Sequence, residues 1–155
     1  MRKNIATITT SVLAILLVFL TANIANAQDW AGRKKYTRSQ VDRIIRQVEN
    51  RTDIFVRQFD NSLDNSRLDG TRREDNLNQR ARNLEATTND LRREFNRRQN
   101  WWEIRQDVQR CLNLASDINV AMRNRRFNRA TENNWSNVRR ELNSLAQVYN
   151  LQRIS

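Results

Sequence analysis

The sequence predicts an all-α protein, an antiparallel up-down four-helix bundle, on three observations. Proline is absent from all 155 residues, so no residue breaks a helix from within. In four stretches, apolar residues recur at alternating spacings of three and four, the repeat of a single helix face. Strand-like alternation never lasts more than a few residues, and short connections force consecutive helices to run antiparallel.

The N-terminus reads as an export signal. Arg2 and Lys3 precede an apolar run from Val12 to Leu20 and the small-residue triplet Ala25-Asn26-Ala27, the order of a cleaved signal peptide. Thr7, Thr9, Thr10 and Ser11 keep the apolar core below the roughly 20 residues that span a bilayer. Cleavage is expected after Ala27, leaving an exported, periplasmic or extracellular chain with no integral membrane span. The expected organisation is a signal peptide over 1–27, a basic tail over 28–38 and a bundle over 39–155.

The first predicted helix, 39–62, carries its seam on Val41, Ile45, Val48, Thr52, Phe55 and Phe59. The second, 73–97, carries Leu77, Ala81, Leu84, Thr88, Leu91 and Phe95. The third, 101–123, runs Trp101, Ile104, Val108, Cys111, Ala115, Ile118 and Met122, and the fourth, 132–151, runs Trp135, Val138, Leu142, Leu145 and Tyr149. Gly70, between the first two helices, suits a left-handed turn. Only about a third of the mature residues are apolar, low for a self-sufficient core, so the alternative architecture is a pair of helical hairpins that complete a coiled-coil core by dimerising.

The helices also carry a trace of repetition. An offset of 36 lays Arg46, Glu49, Thr52, Arg57 and Phe59 on Arg82, Glu85, Thr88, Arg93 and Phe95. An offset of 34 lays Trp101, Ile104, Arg105, Asp107 and Val108 on Trp135, Val138, Arg139, Glu141 and Leu142. Shared heptad phase accounts for the apolar matches; the arginine and acidic matches point to an origin from a repeated helix.

Charge is the positive functional lead. The formal net charge of +11 falls by two, to +9, once Arg2 and Lys3 are removed, and polyanions are attracted to such a chain. The basic residues are arginines except at Lys3, Lys34 and Lys35, and guanidinium suits bidentate phosphate or carboxylate recognition. In an up-down bundle, one pole collects Arg33, Lys34, Lys35, Arg38, Arg92, Arg93, Arg97, Arg98 and Arg153 against Asp42, Asp90, Glu94 and Glu103, with Trp102 as an exposed aromatic beside them, since two consecutive residues do not share one narrow seam. At the opposite pole, Arg72, Arg73, Arg123, Arg125, Arg126 and Arg129 face Asp60, Asp64, Asp69, Glu74, Asp75 and Glu132, so the first pole is the expected site for an anionic polymer, a lipid headgroup or an acidic protein.

The chemistry the chain lacks is equally informative. It has no histidine and only two glycines, which removes imidazole catalysis, histidine-ligated metals and glycine-rich phosphate loops. Cys111, the sole cysteine, falls on the third seam and reads as a buried, inert thiol. The stretch from Asp60 to Gly70 fails as a calcium loop, because Arg67 and Asn76 stand where ligands are needed. No catalytic residue, cofactor or metal site is expected. In size, charge and helix content the chain is similar to the Spy-like periplasmic chaperones, although their Leu-Thr-x-x-Gln motif is absent. The expected function is a non-enzymatic envelope or secreted protein that binds an anionic partner. The alternative is a helical interaction or self-assembly module, with a homodimer as one form, whose charge serves solubility.

Overall fold

Helix capping sets the frame. Thr37 accepts a hydrogen bond from the Gln40 amide while the Gln40 side chain returns to the Thr37 amide, a capping box that starts α1 at Arg38–Asp64,. Thr71 caps α2, Arg72–Arg97. A 3₁₀ turn at Trp101–Ile104, capped by Asn100, leads into α3, Arg105–Arg123. Asn128 caps α4, Arg129–Val148. This computed structural model describes residues 35–66, 69–124 and 127–155. Its contacts divide into two units, Met1–Lys35 and Tyr36–Ser155, and the helices belong to the second. The expected signal peptide, its cleavage site at Ala27, Arg33 and Lys34 lie outside the described residues.

The four helices form the expected all-α bundle. Helix α1 packs on α2 and α4, and α3 packs on the same two from the other side. Every contact is antiparallel: Asp42 meets Arg92 while Asp60 meets Arg82, and Gln58 and Ser62 meet Asn134 and Asn128. The seams supply the core, with Val41, Val48, Phe55, Leu84, Val108, Cys111, Ala115, Val138, Leu142 and Leu145 all at 0 % exposure. Burying such a side chain contributes about 1.5–3 kcal/mol for the larger apolar types. The seam threonines Thr52 and Thr88 are also buried and satisfy their hydroxyls on the Val48 and Glu85 carbonyls of their own helices,. Cys111 lies in this core against the Thr87 carbonyl, and burial, followed by the charge of Asp107, pushes its thiol up to about 12. Nucleophilic chemistry, which needs thiolate, is thereby suppressed.

The fourth helix ends three residues earlier than its periodicity suggests. Asn150 takes a left-handed φ of 50°, and the Leu151 amide donates to the Ala146 carbonyl at 2.8 Å, the six-to-one bond that turns a chain off a helix end. The tail then runs back over the bundle. Ile154 is buried, and the Asn143 amide side chain both accepts from the Ile154 N–H and donates to its carbonyl. Asn119, buried on α3, donates to the Ser155 carbonyl and accepts from the Trp135 indole. The last residues thus serve as a fifth packing element. Among the described residues no helix is long and apolar enough to cross a membrane.

Candidate anionic-ligand groove

Apart from Arg153, which the tail carries to a recess against α3, the bundle does bring the described arginines of the expected pole together, but carboxylates and carbonyls come with them. Arg38 is the first residue of α1 and reaches across to the end of α2, donating to the carbonyls of Phe95, Arg98 and Gln99. Its guanidinium also lies 4.4 Å from the centre of the Phe95 ring. It therefore closes the exposed C-terminus of α2, where carbonyls have no helical partners. Arg92 is held between Asp42 and Glu49, with its side chain only 15 % exposed. Arg93 pairs with Asp90, Arg97 with Glu94, and Arg98 with both Glu94 and Glu103. Burial raises the Asp42 carboxyl, but hydrogen bonds and charge from Arg92 and Arg46 outweigh it and hold the group below the usual carboxylate range.

Trp102 is a correction. It was expected to be the exposed aromatic of this pole, yet it is buried, and its neighbour Trp101 is half-buried. The reason is the 3₁₀ turn: its tighter winding carries Trp102 inward, where its ring stacks on Tyr149 at 5.3 Å. Trp101 meets the same Tyr149 ring edge-on, and the Tyr149 hydroxyl donates to the Trp101 carbonyl. At the bundle's end the core is a broad layer rather than a narrow seam, so consecutive aromatics both find cover. The likeness of Trp101 to Trp135 stops here, because Trp135 is buried within α4 against Phe55.

The opposite pole carries a recess of about 680 Å³ between the first turns of α2 and the last turns of α3, lined by Arg72, Arg73, Asn76, Leu77 and Arg80 on one side. Asp117, Val120, Ala121 and Asn124 line the other. Among the described residues, neither Arg72 nor Arg73 makes an ion pair, and Arg80 bonds only the neutral Asn76 side chain. Two of the acids expected to offset this pole are engaged with other groups. Glu74 is buried and accepts from the Gly70 amide, while Asp60 pairs with Arg82. Burial raises the Glu74 carboxyl above its usual range despite that bond, and Asp64 and Asp69 add to the rise. Asp117 is the one carboxylate in the lining.

Three further recesses are smaller, and the one between α3 and the tail holds Arg123 and Arg153 in about 220 Å³. The one along α4 has Arg139, Arg140 and Arg153, of which Arg140 pairs with Glu141, in about 350 Å³ and with no apolar side chain in its lining. The third, midway along α2 and α3, pairs Arg110 with Asp107 and adds Asp90. Among the described residues no group of three or more cysteines or acids is placed to hold a metal ion.

The sequence carries the pattern that separates the poles for two of the three groove arginines, though charge totals hide it. Each of Arg93, Arg97 and Arg98 has an acid three or four residues before it on its own helix, the spacing that pairs side chains. Arg80 has none at either spacing in either direction and Arg73 has none within α2, whereas Arg72 has Asp75 three residues on and its lack of an ion pair does not follow from spacing. Val120 left no such trace, because a single valine beside the seam looks the same whether a neighbour covers it or not. No known protein family, curated protein or solved structure matches the chain.

Proposed function

We propose that this chain is an exported, non-catalytic binding protein that engages an anionic partner through the groove between the start of α2 and the end of α3. The observation that carries the reading is the set of three guanidiniums, Arg72, Arg73 and Arg80, on one recess without a carboxylate partner. A cation already paired must give up its partner before it gains a ligand, so only unpaired arginines offer their full attraction. The predicted pole, whose described arginines other than Arg153 are paired or capping, is the weaker candidate by the same argument. The alternative, a module that assembles through apolar faces, finds less support: the described core is covered within one chain, and Val120 is the exposed large hydrophobic among the described residues.

The test compares two triple variants of equal charge. Replacing Arg72, Arg73 and Arg80 with glutamine should weaken retention on immobilised heparin by about ten-fold or more at fixed salt and flatten the salt dependence. Replacing Arg93, Arg97 and Arg98 with glutamine should cost only the general effect of net charge. Equal losses mean that net charge alone attracts the polyanion, and a larger loss from the second triple returns the site to the predicted pole.

A further inference from the structure

The groove is not simply cationic, and that mixture narrows its ligand. Its floor is apolar: Leu77 is 8 % exposed and Ala121 half-buried, and Val120 stands 58 % exposed among the arginines. Water on Val120 is an unfavourable contact that a bound apolar group would relieve. A phosphate or sulfate chain has no group to place there. A bilayer does not fit either, because interfacial binding needs a broad apolar face with several large side chains, and here one valine is open.

We infer that the groove receives an acidic amphipathic helix from a partner protein, an inference that rests on the groove being the anionic site. Length agrees: from Arg72 to Arg80 the wall of α2 extends about 12 Å at 1.5 Å per residue, roughly two helical turns. Such a helix would set one aliphatic side chain on Val120, Leu77 and Ala121. Carboxylates three, four and seven positions away would then lie along the same face, within reach of Arg72, Arg73 and Arg80. Helix-in-groove recognition uses this division between an apolar anchor and flanking charge. Arginine adds geometry, since its planar fork binds a carboxylate through two parallel hydrogen bonds. The groove is also polar along its length. Because α2 and α3 are antiparallel, Arg72 and Arg73 share one end with Asn124, while Arg80 shares the other with Asp117. The partner's carboxylates therefore gather at the Arg72 end, and a basic or neutral residue faces Asp117.

The experiment measures fluorescence anisotropy of a labelled helical peptide of about 14 residues, with leucines at i and i+4 and glutamates at i+3, i+7 and i+8, on the purified protein. Parallel titrations use a heparin fragment and vesicles containing phosphatidylglycerol. The test variants are Val120→Ser, whose exposed position leaves the core untouched, and the Arg72, Arg73 and Arg80 triple glutamine variant. Expected is a loss of about five-fold or more in peptide affinity on Val120→Ser with heparin affinity unchanged, and a loss for both ligands in the triple variant. Peptide binding indifferent to Val120→Ser overturns the amphipathic helix and leaves an anion groove standing. A response to Val120→Ser confined to vesicles overturns it in favour of a lipid surface. Peptide and heparin binding both indifferent to the triple variant overturn the groove as the site, and the helix with it.

Discussion

The two poles of this bundle carry similar chemistry in sequence and opposite chemistry in space. At the pole formed by the start of α1 and the ends of α2 and α4, arginine is abundant but committed: Arg38 caps α2, Arg92 sits between two acids, and Arg93, Arg97 and Arg98 pair along or beyond their own helix. At the other pole, acids match the arginines in number, yet Glu74 turns into the structure and Asp60 reaches another arginine. Arg72, Arg73 and Arg80 are left facing a recess. Charge density and available charge are therefore different quantities. The first follows from composition along the chain, the second from which side chains have already met.

The comparison is tested most severely in the aromatic layer of the committed pole. Trp102→Ala should cost about 3–5 kcal/mol by removing a buried ring from the stack on Tyr149, and Trp101→Ala clearly less, because Trp101 keeps one side in solvent. Chemical denaturation of the two variants gives the order directly, and a larger loss from Trp101 would restore the expected seam. Next in size is Arg38→Gln. It removes three hydrogen bonds to the end of α2 and a cation over the Phe95 ring, and should cost about 2 kcal/mol. Arg72→Gln, with no ion pair to lose among the described residues, should stay within about 0.5 kcal/mol. Similar costs for Arg38→Gln and Arg72→Gln would erase the distinction between a structural pole and an open one.

Much of the fold was legible because it depends on local period. Apolar spacing alone placed α1 and α2 within two residues at each end, since Val41 through Phe59 and Leu77 through Phe95 each keep one unbroken phase. Where the chain leaves that phase, local spacing no longer determines the structure. The turn at Trp101–Ile104 continues the apolar rhythm of α3 but winds more tightly, and the cap at Asn150 adopts a left-handed turn without the glycine that would signal it. The tail that follows is held by Asn119 and Asn143, side chains whose partners lie up to 36 residues away, and no local pattern announces such a bond. The site divides in the same way. Intrahelical pairs of acid and arginine can be read from spacing, whereas the inward turn of Glu74 and the exposure of Val120 follow from how α2 meets α3.

The finest test sets the poles against each other in pH. Asp42, at the committed pole, has its folded pKa held below its ordinary 3.8, so its ionised form favours the fold. Its contribution is fully present above that ordinary value and is lost as pH falls through the depressed one. Glu74, beside the open groove, has its folded pKa raised above its ordinary 4.5. Its protonated form favours the fold, so its contribution is full below the ordinary value and lost as pH rises through the raised one. The two groups therefore bend the stability curve in opposite directions on either side of pH 4. Melting temperatures taken from pH 7 to pH 3 and expressed as differences from the parent cancel the general effect of net charge. On that scale Asp42→Asn should show a deficit of about 1 kcal/mol that holds from pH 7 down to the ordinary Asp value and closes only below it. Glu74→Gln, which keeps an oxygen for the Gly70 amide, should be most favourable at pH 7 and lose its advantage as pH falls toward 4.5. A Glu74→Gln difference that stays flat with pH would mean that its carboxyl is solvated like any surface acid. Glu74 would then be free to offset Arg72 and Arg73, and the contrast between the poles would fail at its most sensitive point.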